Sequence, residues 1–93
     1  MLRWAAAAIR DLESIRMHIA RDNPAAADRN LSEIVARTSL LTEHPGIGRP
    51  GRVDGTRELV LSGLPYIVVY RAGPGAVAIV RVIHGAMNWP GTF

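Results

Sequence analysis

Three strand-length apolar runs close this chain, and their spacing leaves little freedom in how they can pair. Residues 56–61, 65–71 and 77–85 are separated by Ser62-Gly63-Leu64 and by Ala72-Gly73-Pro74-Gly75-Ala76, both of which read as turns. A parallel pairing of successive strands needs a crossover of about a dozen residues or more, and none is available here. The three runs are therefore expected to lie side by side as antiparallel neighbours. Residues 66–70, Tyr-Ile-Val-Val-Tyr, are apolar on both faces, which suits a central strand. Arg57, Arg81 and His84 sit within or at the ends of these runs, where a sheet that needed only a core would not require them.

Upstream the period changes from two to that of a helix. Ala8, Leu12, Ile15 and Ile19 recur at helical spacing, with Arg10, Glu13 and Arg16 off the stripe, which predicts an amphipathic helix over residues 5–21. Residues 2–4 can form a short strand before it. Asp22-Asn23-Pro24 breaks the pattern: Pro24 cannot continue a helix but fits the first position of a new one, and Asn23 is a suitable cap. A second helix is expected to about Glu43, ending at His44-Pro45-Gly46. So short a link makes the helices an antiparallel hairpin, and each has one apolar stripe to bury. The fold class predicted is α+β: one domain over residues 1–93, with an N-terminal helical hairpin packed on one face of a small antiparallel β-sheet.

Several function classes are excluded or left without support. A chain of 93 residues buries about 60–65% of its unfolded surface, a thin core that suits a stabilising partner. No apolar run is long enough to span a membrane. The Ala-rich start lacks a continuous leucine-rich centre and meets Arg10 and Asp11 at once, so a cytoplasmic protein is expected. The absence of cysteine removes disulfides and thiolate metal sites, and neither a metal nor a cofactor is expected. All eleven basic residues are arginine, giving a net charge of +3 with eight acids. Guanidinium pairs in two-point fashion with carboxylate or phosphate, so an acidic protein and a nucleic acid suit this surface equally. A compositional bias toward arginine explains the same count. The Gly-, Pro- and Arg-rich residues 45–56 lack a Gly-Lys-Ser/Thr ending and lead into a strand, so they are not a phosphate-binding P-loop. Arg49 and Arg52 in that stretch either belong to a plain connection or form an anion-contacting edge with Arg57.

The helix stripe, the Asp-Asn-Pro link, His44-Pro45-x-x-Gly48-Arg49, Thr56-Arg57-Glu58-Leu59, Pro65-Tyr66-Ile67-Val68-Val69-Tyr70-Arg71 and Val77-x-Ile79-x-Arg81-Val82-x-His84-Gly85 occur in one order. That order resembles the RelE/ParE superfamily of bacterial type II toxin–antitoxin toxins over nearly the whole chain. The resemblance implies a small growth-inhibiting toxin bound by a cognate acidic antitoxin in a hetero-oligomer. It also implies one of two targets: DNA gyrase, inhibited by binding, for ParE-like members, or ribosome and mRNA, cut by an endoribonuclease, for RelE-like members. A degenerate, non-toxic binding module is a third outcome.

Metal-free RNA cleavage needs a base for the 2′-hydroxyl, an acid for the leaving oxygen, and cations for the phosphorane. His84 is a candidate acid or base, with Arg81 and Arg57 as phosphate ligands. Strand parity places Arg81 with Ile79 and Ile83 but His84 with Val80 and Val82, on opposite faces unless a bulge intervenes. RelE-like nucleases carry an Arg where this chain has Ile67, and several carry a Tyr just after or a few residues beyond the position of His84, where this chain has Gly85, Ala86 and Met87. The ParE-like reading is therefore preferred, with Arg49, Arg52, Arg57, Arg81, His84 and Trp89 as candidate contacts to target or antitoxin. Arg57 is expected to pair with a carboxylate such as Asp54 or with the antitoxin. Trp4 is expected in the core, and Trp89 docked on its own protein.

Overall fold

Asn23 and Pro24 set the helical layer. The Asn23 side-chain oxygen accepts from the Ala26 N–H at 3.1 Å, and Pro24 occupies the first turn, where its missing N–H costs nothing. The computed structural model describes residues 1–86, 89, 91 and 93. Helix α1 spans Ala6–Ala20 and α2 spans Pro24–Ser39, and a 3₁₀ turn, Leu40–Thr42, carries the second helix close to its expected end. α1 packs on the sheet and α2 on α1.

The sheet holds five strands: β1 (Leu2–Trp4), β2 (Arg49–Pro50), β3 (Arg57–Val60), β4 (Tyr66–Gly73) and β5 (Ala76–His84), in the order β1-β5-β4-β3-β2. The three closing runs pair antiparallel as expected, with β4 central. Gly75 takes a positive φ of 69° in the β4–β5 turn, which glycine adopts without steric cost. Two additions enlarge the small antiparallel sheet expected. β1 pairs parallel with β5, Leu2 opposite Val77, because the helical layer and the other strands together supply its long crossover. The Arg-rich connection also contributes β2, with Arg49 opposite Glu58.

A bulge changes the parity of β5. Val69 pairs with Arg81 but Tyr70 pairs with Ile79, so Val80 is the extra residue. Val77, Ile79 and Val82 consequently all enter the core under the helices, with Ala8, Ile15, Ile34, Leu41, Leu61, Tyr66, Val68 and Tyr70. Trp4, Leu12 and Ile19 pack against this cluster, as their positions on the stripe predicted. Tyr70 is fully buried, and its hydroxyl donates to Pro45 O at 2.7 Å while accepting the Gly48 N–H at 2.9 Å. A β-carbon on residue 48 would stand 2.5 Å from that oxygen, which is why the connection carries glycine there.

Candidate partner-binding site

The bulge at Val80 lies outside the stretch from Arg81 to His84, whose register is regular, yet the Arg81 guanidinium reaches Asp11 on α1 and so comes to the side of His84. Both line one hollow between α1 and the end of β5, with Asp11, Ser14, Ile15 and Tyr66. The hollow continues along α1 into a groove of about 320 Å³ bordered by His18, Ile19, Asn30, Leu64 and Pro65. Its wall is mixed: Ile15, Ile19 and Leu64 are apolar, whereas the two imidazoles, Asn30 and Ser14 are polar. A groove of this composition suits an amphipathic protein segment.

Arg81 does not present a free charge to this groove. Its Nε and Nη2 donate to the two carboxylate oxygens of Asp11 at 2.7 and 3.0 Å, a two-point pair. The same carboxylate accepts the Val82 N–H at 2.9 Å, so Asp11 also caps the edge of β5 beyond β1. The hydrogen bonds to Asp11 raise the Arg81 pKa above its ordinary value, outweighing the opposite effect of burial. His84 stands edge-on to Tyr66, ring centroids 5.7 Å apart, and its Nδ1 accepts the Ala86 N–H at 3.1 Å. That bond assigns Nδ1 as the acceptor nitrogen and leaves Nε2 as the one available to a partner. Burial raises the Tyr66 pKa.

Arg57 lies elsewhere. It pairs with Tyr70 across β3–β4 and borders a separate hollow with Pro50, Gly55, Thr56 and Ala72. Its expected carboxylate partner is replaced by a main-chain oxygen: Nη1 donates to Gly48 O at 2.9 Å. Asp54 instead offers its carbonyl oxygen to Arg71 at 3.3 Å. Arg57, Arg81 and His84 thus do not converge on one point.

Arg49 and Arg52 are organised by Glu58, the neighbour of Arg57 on β3. Glu58 is 2% exposed. Its Oε1 accepts Nε and Nη2 of Arg49 at 3.1 and 2.9 Å, and its Oε2 accepts the Arg52 N–H at 2.8 Å. The Arg52 guanidinium in turn lies 3.8 Å from the centroid of the Trp89 ring. Cation–π contacts of this kind contribute about 0.5–1 kcal/mol at exposed sites. The Trp89 Nε1–H is buried with no partner among the described residues, and an unpaired buried donor costs about 1–3 kcal/mol. Trp89 is therefore docked on its own protein, as expected, but against an opposing term of similar size. Two acids stand among the arginines of residues 49–58, Asp54 and Glu58, and only Glu58, on a strand, takes both arginines. For Asp11, Ser14 and His18 the available signal was their helical spacing along α1, and for Tyr66 its place opposite the end of the last strand.

Comparison with known proteins fits this architecture. Residues 2–89 match the family described as ParE toxin of the type II toxin–antitoxin system, parDE. The chain belongs to the ParE toxin family. It is 43% identical over 89 residues to toxin Y4kP of Sinorhizobium fredii, covering 96% of this chain and 92% of the relative. It is 37% identical over 77 residues to toxin RelE3 of Caulobacter vibrioides, covering 81% of this chain and 83% of that one. Among solved structures it is similar to a chain of the chromosomal ParDE TA system from P. aeruginosa, with a TM-score of 0.82 and 29% identity over 89% of this chain and 92% of the other. This ParE-family chain is a toxin of a type II toxin–antitoxin system, and the arrangement above is the form its fold takes here. Among the described residues no helix is long and apolar enough to cross a membrane.

Proposed function

We propose that this ParE-family toxin acts in the cytoplasm by binding DNA gyrase and blocking supercoiling, and that a cognate acidic antitoxin neutralises it. The observation that carries the reading is the state of Arg81. RNA cleavage at His84 would need an uncommitted cation beside it to meet the phosphorane charge. The nearest candidate is held at two points by Asp11, and Arg57 borders a different hollow. What remains is a groove with mixed walls and an arginine edge, which are means of gripping a protein. The antitoxin segment would lie in the groove along α1 and bring carboxylates to Arg57 and the half-exposed Arg49 and Arg52, forming the hetero-oligomer. The relation to a structure named as a ParDE system supports an antitoxin partner.

The second reading is a ribosome-dependent mRNA endoribonuclease. One observation favours it: His84, Arg81 and Tyr66 border the same hollow. The two readings separate on induction of His84→Ala without antitoxin. Undiminished toxicity with no mRNA cleavage is expected; loss of both toxicity and cleavage would move the function to the nuclease.

A further inference from the structure

The positive charge of this protein is carried by its sheet. Residues 5–44, the helical layer, hold five arginines and six acids, whereas residues 1–4 and 45–93 hold six arginines and two acids. With histidine neutral the helical layer stands at −1 and the remainder at +4. Strand register decides where those arginines point. Leu2 and Trp4 pack against the core cluster under the helices, to which Val68, Tyr70, Val77 and Ile79 belong. Alternation therefore turns Arg3, Arg71 and Ala78 to the other face. Ala78 pairs with Arg3 on one side and with Arg71 on the other, so the three form one row across β1, β5 and β4. A neighbouring row on the same face runs from Arg49 through Glu58 and Val69 to Arg81, and its arginines are paired with Glu58 and Asp11. Arg3 and Arg71 are held differently. Arg3 Nε lies 3.5 Å from Met1 Sδ and Arg71 Nη1 lies 3.3 Å from Asp54 O, both long contacts to uncharged acceptors. Every acidic side chain is among the described residues, and the ion pairs there use neither guanidinium.

We propose that the row Arg3, Ala78, Arg71 is a contact surface for the phosphate backbone of duplex DNA, separate from the groove along α1. Two strand spacings put the Arg3 and Arg71 backbones about 10 Å apart, within reach of phosphates on one duplex. Each guanidinium can meet a phosphate at two points, and the small Ala78 between them leaves the approach open. A protein partner fits this surface less well, because a protein interface draws its energy from a large buried anchor. Here the centre of the row is alanine, and the turn beside it is Gly73-Pro74-Gly75-Ala76. Single-stranded nucleic acid fits less well for another reason. It needs rings on which bases stack, and Trp4, Tyr66 and Tyr70 of these strands all turn to the helix side. Backbone contacts carry no sequence information, so duplexes of any sequence are expected to bind alike.

The test is fluorescence anisotropy of a labelled duplex of about 20 base pairs, titrated with the whole protein at several salt concentrations. Binding is expected with a Kd of about 1–100 μM near physiological salt, weakening as salt rises. Arg3→Ala and Arg71→Ala should each weaken it about five- to tenfold at about 0.1 M salt, and make the slope of log K against log salt shallower by about 0.9. Arg3→Lys and Arg71→Lys keep a cation at each position and should retain the wild-type slope. Arg10→Ala and Arg29→Ala, which remove exposed guanidiniums from the helical layer, should retain it too. No binding at about 0.05 M salt, or equal losses in the helical-layer variants, would overturn the proposal. So would a wild-type slope in Arg3→Ala and Arg71→Ala, or tighter binding to single-stranded RNA of the same length or to a labelled polyglutamate peptide. Circular dichroism of each variant records its folding; if Arg71→Ala unfolds through loss of its bond to Asp54, Arg3→Ala decides alone. The assay contains neither gyrase nor antitoxin, so its result stands apart from the supercoiling reading.

Discussion

Replacing Glu58 by Gln removes a charge and little else, and the consequences can be worked bond by bond. The carboxylate uses one oxygen for two Arg49 donors and the other for the Arg52 N–H. An amide retains one acceptor and turns the other position into a donor, so whichever way it sits, NH₂ faces an N–H. Leaving a buried donor unpaired costs about 1–3 kcal/mol, and weakening the remaining charge-assisted bonds adds about 1 kcal/mol. The ion pairs themselves add little, because the Arg49 and Arg52 side chains are 52% and 46% exposed. Such pairs contribute about 0–1 kcal/mol after solvent screening. The expected loss is about 2–4 kcal/mol, a large part of the stability of about 5–15 kcal/mol usual for a domain. Urea unfolding should show it as a lower midpoint at unchanged slope. Arg29→Ala, which removes an exposed guanidinium from α2, is the matching control and should change stability by less than about 0.5 kcal/mol. A Glu58→Gln variant within about 0.5 kcal/mol of the wild type would refute the reasoning, as would an Arg29→Ala variant equally destabilised.

Gly48→Ala should destabilise by about 2–4 kcal/mol in the same assay, since its β-carbon would displace the buried Tyr70 ring and break the hydroxyl's bonds to Pro45 and Gly48. A Gly48→Ala protein as stable as the wild type would contradict that packing. Asp11→Ala should cost about 1.5–3 kcal/mol by leaving Arg81 and the Val82 N–H without their acceptor, read by urea unfolding and by faster amide exchange at Val82. Burial raises the Tyr66 pKa, so the unfolded chain ionises first as the pH passes the ordinary value of 10.0. The stability Tyr66 contributes is therefore complete below that pH and lost as the pH climbs to the folded pKa. Thermal unfolding across this range should fall more steeply for the wild type than for Tyr66→Phe; parallel curves would remove the effect.

The helical hairpin and the antiparallel order of the closing strands were legible because each rests on a local signal. The Ile15–Ile19 stripe, the Asn23-Pro24 cap and the short turns each restrict the backbone within a few residues. The parallel partner of β5 was not legible, because Leu2 meets Val77 across almost the whole chain and no local spacing records it. The bulge was hidden for a different reason. Val77, Ile79, Val80, Val82 and Ile83 are interchangeable apolar residues, so an extra one leaves no mark, yet it reverses the parity that grouped Arg81 with Ile79 and His84 with Val80. Individual arginines were identifiable as charges but not as partners. Asp11 accepts from Arg81 only after the fold has brought distant segments together, and Glu58 accepts from Arg49 and Arg52 only once the connection folds back as β2 along β3. The family was legible from motif order, because such order survives when no single motif is distinctive.

Gyrase supercoiling with the purified toxin tests the central claim most directly. The account predicts that increasing amounts of the toxin abolish supercoiling of relaxed plasmid, that an equimolar antitoxin restores it, and that ribosome-bound mRNA stays intact at the same concentrations. Full supercoiling activity at saturating toxin, together with cleavage of ribosome-bound mRNA that His84→Ala eliminates, would contradict it.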